Sequence, residues 1–285
     1  MIIFSSDPYF ELINKSLNES GFGIDALITQ PPKPRGRSLR VLKNSAQIIA
    51  EKENIKVLSP DPLNKEFIKE LARLKPEIGI LYAYGKILPS EILDIFDRGI
   101  LNLHPSLLPK YRGPSPIQSA ILDNKLETGY SIIKLTPRMD AGDIIFQEKI
   151  KIGPNDTFAS LKEKIIIQAS QKLPGVLREY LKGQIDPEKQ SGKVTYCKMI
   201  KKTDGDITPR DTAKSAYGKY RAFVEWPGTR IITSKMPIII KEAKYTRKKI
   251  KLIKVQVPGK KAITFDAFKN GYSELLTELP DFVII

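Results

Sequence analysis

The sequence predicts an α/β protein in two parts, a doubly wound parallel sheet over the first two thirds and a small β-barrel after it. Three observations carry this expectation. Short apolar runs alternate with helical periodicity up to about residue 181, a polar segment follows, and short β-rich runs then take over. At 285 residues, with 41% hydrophobic and 28% charged side chains, the chain has the length of two average domains and ordinary core material.

The elements follow in order. Ile2-Ile3-Phe4 is a short apolar run, and helical spacing from Tyr9 to Glu19 ends at Gly21. Ile24 to Ile28 leads into a Pro- and Arg-rich loop, helical spacing resumes at Ala46, Ile49 and Ala50, and Val57-Leu58 is a short strand. Pro62 to Leu74 places Phe67, Leu71 and Leu74 on one helical face, while Ile78 to Tyr82 and Ile100 to Leu103 have the unbroken apolar character of buried strands. Strands and helices alternating at this spacing form right-handed βαβ units, whose sheets bind ligands beyond the carboxyl ends of their strands.

A long helical pattern from Phe158 to Leu181 closes the first part. The polar stretch around Asp186-Pro187 is expected to be a linker, giving a first domain over 1–182, a linker over 183–194 and a second domain over 195–285. In the second domain a helix is expected from Ala213 to Phe223. Strands are expected at Arg230–Thr233, Pro237–Ala243, Ile250–Val257 and Lys261–Phe265, a pattern that suggests a small antiparallel barrel.

Several classes of protein are excluded. Apolar stretches such as Ile165-Ile166-Ile167 and Ile238-Ile239-Ile240 are far below the ~18 residues of a membrane span. Met1 to Asp7 has neither the basic nor the long apolar region of a secretory signal. Cys197 is the one cysteine, which excludes an internal disulfide and a multi-cysteine metal site. A cytoplasmic protein is expected. Charge is more informative: 47 basic against 32 acidic residues give +15, and residues 191–285 alone contribute +11. That concentration suits a polyanionic partner, with nucleic acid the leading candidate.

Histidine occurs once, at position 104, within Asn102-Leu103-His104-Pro105-Ser106-Leu107-Leu108-Pro109-Lys110-Tyr111-Arg112-Gly113-Pro114. On a strand, residues 102 and 104 point to the same side. An imidazole there can take a proton from an amine, and an Asn amide can stabilise an oxyanion, a pairing that suits acyl transfer to an amine. A carboxylate to support the imidazole is available at Asp140 or Asp143, in Thr136-Pro137-Arg138-Met139-Asp140-Ala141-Gly142-Asp143, and spacing alone does not rank the two.

These motifs resemble the methionyl-tRNA formyltransferase family, one branch of the 10-formyltetrahydrofolate-dependent transferases. Asn102 to Gly113 resembles the signature of the whole group. Thr29-Gln30-Pro31, Ala83 to Pro89, Pro116-Ile117-Gln118, Glu127-Thr128-Gly129 and Asp140 to Ile144 narrow the match. Thr195-Tyr196, Asp204-Gly205, and Arg221-Ala222-Phe223 before Trp226-Pro227-Gly228 complete it, in the family's order over residues 24–230. The chain departs from the pattern at Ser5-Ser6, where the family has Gly-Thr, at Arg138-Met139 ahead of Asp140, and after Asp204-Gly205, which lacks a downstream Trp.

The resemblance implies a Rossmann-like formyltransferase domain joined to a barrel resembling an OB-fold. It implies Asn102, His104 and Asp140 as the catalytic trio, which selects Asp140 over Asp143. It further implies that Ser106, Leu107, Leu108 and Pro109 contact the tetrahydrofolate, and that Ala83 to Pro89, with Tyr84, Gly85 and Ile87, lines the same pocket. The loop from Gln30 to Arg40 matches an insertion that reaches the tRNA acceptor end. Lys33, Arg35, Arg37, Arg40 and Lys43 place five cations in the eleven residues 33–43 with no acid among them, and by position Arg37 is the first choice for recognition. The expected reaction moves the formyl group of 10-formyltetrahydrofolate to the α-amine of methionyl initiator tRNA, with no metal and a monomeric enzyme. One alternative is a formyltransferase of the same group acting on glycinamide ribonucleotide or an amino sugar nucleotide. The other is a catalytically silent tRNA-binding protein.

Overall fold

Runs of branched and aromatic residues become short strands, and Asn44, Asn64, Thr212 and Thr264 each cap the helix that follows. The computed structural model describes residues 1–35, 40–208 and 210–284, and for Arg35 the backbone alone. The chain runs β1 (Ile2–Ser5), α1 (Phe10–Glu19), β2 (Ala26–Ile28), β3 (Lys33–Arg35), β4 (Arg40–Leu42), α2 (Ser45–Lys52), β5 (Lys56–Leu58), α3 (Lys65–Arg73), β6 (Gly79–Tyr82) and α4 (Ser90–Leu93). It continues with β7 (Ile100–His104), α5 (Pro116–Leu122), β8 (Glu127–Lys134), β9 (Ile144–Lys151) and α6 (Phe158–Leu181). The remainder is β10 (Asp206–Ile207), α7 (Ala213–Ala222), β11 (Thr229–Ile231), β12 (Ile238–Thr246), β13 (Lys249–Gln256), β14 (Ile263–Thr264), α8 (Phe265–Gly271) and β15 (Val283–Ile284). Among the described residues no helix is long and apolar enough to cross a membrane.

The chain divides into two compact units. The first comprises 1–114, 129–150 and 164–196, and the second 115–128, 151–163 and 197–285. The segment expected as a linker, 183–194, has no helix and no extended strand, yet it clusters with the first unit. Within it Glu188 exchanges backbone hydrogen bonds with Ile144, at 2.9 and 2.7 Å.

The first sheet has the order β5-β2-β1-β6-β7-β8-β9. Strands β5, β2, β1, β6 and β7 are parallel, and β8 returns antiparallel to β7, so the sheet is mixed rather than wholly parallel. Ile2 and Phe4 of β1, with Ala26 and Ile28 of β2, pack with Phe67 and Leu71 of α3 on one face of the sheet. All four residues of β1 and all five of β7 are buried, as expected of strands covered on both faces.

Strand order reverses between β1 and β6, the place where open α/β sheets leave a crevice for ligands. The loops that leave the strand ends there are tied together. The Ser6 amide donates to Ala83 O at 3.3 Å and the Gln30 amide to Ser6 Oγ at 3.1 Å, while Gln30 Nε2 donates to Tyr84 O at 2.6 Å. Ser6, one of the two serines that depart from the family pattern, therefore bridges the loops after β1, β2 and β6. Asn44 fastens the same corner: its Oδ1 caps α2 by accepting from Gln47 N, and its Nδ2 donates to Thr29 Oγ1 and Gln30 O, both at 2.8 Å.

In the second unit the strand path β10-β11-β12-β13-β14 carries β15 on β13, and the ladder is open among the described residues. The antiparallel barrel expected from the sequence is corrected in two respects. Pairings β10–β11 and β13–β15 are parallel, and the path ends on two-residue strands that do not meet. The last expected strand is also cut short, because Thr264 Oγ1 accepts from Ala267 N and starts α8. Ile238, Ile240, Ile250, Leu252 and Val255 form the core with Phe265 and Phe268 of α8.

Asn44→Ala removes a helix cap and takes the Asn44 donor from the buried Thr29 hydroxyl and the half-buried Gln30 carbonyl, so a loss of about 2 kcal/mol is expected. Thermal melting of the variant beside an exposed control, Lys52→Ala, measures it.

Candidate active site

Residues 102 and 104 lie two apart near the carboxyl end of β7, and the period of the strand turns both side chains the same way. Both reach one atom. Asn102 Nδ2 stands 3.4 Å and His104 Nδ1 3.6 Å from Asp140 Oδ1. The other carboxylate oxygen, Asp140 Oδ2, accepts the Gly113 amide at 2.7 Å. Asp143 does not share this cluster through its backbone: its carbonyl accepts the Lys134 amide and extends the sheet.

The imidazole is held from its far side as well. His104 Nε2 lies 3.0 Å from the Tyr111 carbonyl. A carbonyl oxygen only accepts, so Nε2 carries the proton and the neutral ring keeps its lone pair on Nδ1. The ring is 5% exposed. Burial pushes its pKa below the ordinary 6.5, against the opposing pull of the Asp140 charge and the Tyr111 carbonyl. A depressed value leaves stability unaffected above about 6.5 and lowers it as the pH falls from there toward the folded-state value.

Two backbone conformations support the arrangement. Asp140 and Tyr111 have φ of 48° and 57°, a left-handed geometry that costs a non-glycine residue energy and persists only where neighbours impose it. Gly142 closes the Asp140 turn onto the sheet, since a Cβ there would lie 1.7 Å from Lys134 O.

The other candidate residues divide by what they expose. The 106–109 loop satisfies its own polar groups: Ser106 Oγ donates to Lys110 O, Ser131 Oγ donates to Ser106 O, and Gln147 Nε2 donates to Leu108 O. Ser106 and Leu108 are buried, and Leu107 and Pro109 are half-buried. In the 83–89 loop Ile87 is 74% exposed, whereas the Tyr84 ring is turned into the core edge-on to Phe4. Its hydroxyl has no partner, and burial with the nearby Asp61 charge pushes its pKa up to about 12. Tyr84 thus serves this loop through its backbone. Gly85 has φ of 75°, and a Cβ would come 2.7 Å from Gln30 Nε2, so the close approach of these two loops depends on it.

The basic loop forms the two-stranded hairpin β3–β4, with Lys33 opposite Leu42 and Arg35 opposite Arg40. Arg37 and the Arg35 side chain lie outside the described residues. Lys33 Nζ donates to Gln30 Oε1, and Arg40 is exposed. Lys43 pairs with Glu51 of α2 at 2.7 Å, so the acid that is missing from the loop's sequence is supplied in space.

Sequence reasoning missed the Tyr111 carbonyl and the Gly113 amide, since backbone groups leave no signature in residue type. A buried neutral imidazole, an amide and a carboxylate at the end of a strand in a Rossmann-like sheet define a site suited to moving a small acyl group. Residues 1–177 match the family described as Formyl transferase. The methionyl-tRNA formyltransferases of Thermotoga maritima and Pelagibacter ubique are each 33% identical to the chain and cover 95% of it and 95% of their own length. That of Caldicellulosiruptor saccharolyticus is 39% identical over 80% of the chain and 74% of its own. The chain belongs to the formyl transferase family and, within it, to the methionyl-tRNA formyltransferases. Solved structures share the fold. They include a methionyl-tRNA formyltransferase from Clostridium thermocellum, with a TM-score of 0.63, 20% identity and coverage of 90% of this chain and 96% of that one. A sugar N-formyltransferase from Shewanella gives 0.67, 17%, 85% and 96%.

With a single histidine in the chain, imidazole proton NMR titrates His104 without assignment. A midpoint below 6.5 is expected, moving lower still in Asp140→Asn, which removes the charge that raises it. A midpoint at or above 6.5 in the wild type contradicts this description.

Proposed function

We propose that this protein transfers the formyl group of 10-formyltetrahydrofolate to the α-amine of methionyl initiator tRNA. The observation that carries the reading is the neutral imidazole of His104 held between the Tyr111 carbonyl and Asp140, with Asn102 on the same carboxylate. Relatives named methionyl-tRNA formyltransferase match 95% of the chain, and they favour tRNA over the amino sugar nucleotide and glycinamide ribonucleotide alternatives.

The folate supplies an activated formyl group on a departing nitrogen. The residues present fit it: the 106–109 loop has spent its polar groups internally, and its half-buried Leu107 and Pro109, with the exposed Ile87, offer apolar surface. His104 accepts the amine proton at Nδ1, since Nε2–H is engaged, and returns it to the departing nitrogen. Asp140 faces Nδ1, so it stabilises the imidazolium that forms and keeps the ring oriented. Asn102 has a second N–H beyond the one directed at Asp140, and this donates to the formyl oxygen as negative charge develops. An α-amine titrates near ~8, so part of the substrate is already nucleophilic at neutral pH.

The rest of the chain is read as the tRNA platform. Lys33, Arg35, Arg37 and Arg40 of the β3–β4 region are assigned to the acceptor end, and Lys43 contributes less because Glu51 offsets it. The second unit is assigned an OB-like role in binding the tRNA body. Lys241, Lys244, Lys249, Lys251 and Lys254 are exposed along β12 and β13. A cleft of about 330 Å3 in this unit is lined by Lys125, Lys214 and Arg221, with no acid among its lining residues.

His104→Ala and Asn102→Ala are each expected to lower kcat for formylation by about two to three decades while the proteins stay folded. Formylation of charged initiator tRNA by the purified variants measures this, and wild-type rates in either variant refute the assignment.

A further inference from the structure

The segment after α6 is laced onto both loops of the catalytic cluster, and one side chain joins them. Gln190 Nε2 donates to Asp140 O and to Gly142 O, both at 2.8 Å. Its Oε1 accepts from Arg112 Nε at 3.1 Å and from Arg112 Nη2 at 2.6 Å. The amide therefore has both donor hydrogens and its acceptor oxygen engaged. On one side it grips the turn that carries the Asp140 carboxylate, and on the other it grips the residue between Tyr111 and Gly113. Those two neighbours hold His104 Nε2 and Asp140 Oδ2. Thr195 extends the lacing, since its Oγ1 accepts Tyr111 N at 2.8 Å and its carbonyl accepts Arg112 N at 2.9 Å.

We infer that Gln190 is a positioning residue, which sets the Asp140 carboxylate against His104 Nδ1 by holding the Asp140 turn to Arg112. The physical reason lies in the backbone. Asp140 keeps a left-handed φ of 48° in a loop that leaves the sheet, and a turn of that kind relaxes unless its carbonyls are fixed. Two N–H donors on one planar amide fix the carbonyls of residues 140 and 142 together, which a single bond could not do. The Arg112 fork in turn fixes the plane of the amide. This inference rests on the reading of Asp140 as the partner of His104.

The test compares Gln190→Leu, Gln190→Glu and Asp140→Asn. Leu keeps the bulk and loses every polar contact, whereas Glu keeps an acceptor for Arg112 and loses both donors. Each Gln190 variant is expected to lower kcat by about ten- to a hundredfold, the scale of a catalytic group displaced by roughly an ångström, with KM for folate and tRNA nearly unchanged. In Gln190→Leu the His104 titration midpoint is expected to fall toward that of Asp140→Asn, a shift that general loss of stability does not produce. A folded Gln190→Leu with wild-type kcat and an unmoved midpoint overturns the inference. If Asp140→Asn itself keeps full activity, the underlying catalytic reading falls instead. Should Gln190→Leu fail to fold, exchange of the Gln190 side-chain amide protons in the wild-type protein decides: protection is expected, and exchange at the free-amide rate overturns the proposal.

Discussion

The hydrogen bond from His104 Nε2 to the Tyr111 carbonyl is the constraint on which the site depends. It turns a flexible, two-faced ring into a base with one defined basic atom. Without it either nitrogen could carry the proton, and the Asp140 carboxylate at 3.6 Å would draw the hydrogen onto Nδ1, leaving the wrong atom basic. The carbonyl wins this competition through geometry, at 3.0 Å against 3.6 Å, while burial keeps the ring uncharged. In the proposed reaction Asp140 acts where charge appears, on the imidazolium, and leaves the resting tautomer alone.

That bond is only as good as the loops that present its partners. The chain from 109 to 113 turns sharply enough for Tyr111 to adopt a left-handed conformation, and the Asp140 turn does the same. Neither loop belongs to a helix or a strand. Each is held by hydrogen bonds from residues far away in sequence, and the post-helical segment 188–195 reaches both. The sheet supplies rigid strand ends, and hydrogen bonds tie together the loops that leave them at the β1–β6 reversal.

Much of this was legible in the sequence. Apolar runs marked β1, β6 and β7, helical spacing marked α1, α3, α6 and α7, and strand period alone put Asn102 and His104 on one side. What escaped has identifiable physical causes. The β3–β4 hairpin hid behind Pro34 and a run of cations, which lack the alternation of a strand. The pairing of Lys43 with Glu51 is between residues eight apart and joins a strand end to a helix. Tyr84 was expected to line the pocket with the rest of its loop, yet its ring is turned into the core against Phe4. The parallel additions β10 and β15, two residues each, are too short to show any period, so the sequence showed only the longer runs and suggested a small antiparallel barrel. Gln190 sits in a polar stretch whose composition says only loop, and its role exists in the distances alone.

The central claim is the identity of the basic nitrogen, and imidazole nitrogen chemical shifts read it directly. In protein labelled with 15N at its single histidine, the expected spectrum at neutral pH is that of a neutral ring protonated at Nε2 and bare at Nδ1. A ring protonated at Nδ1, or an imidazolium at that pH, would contradict the account.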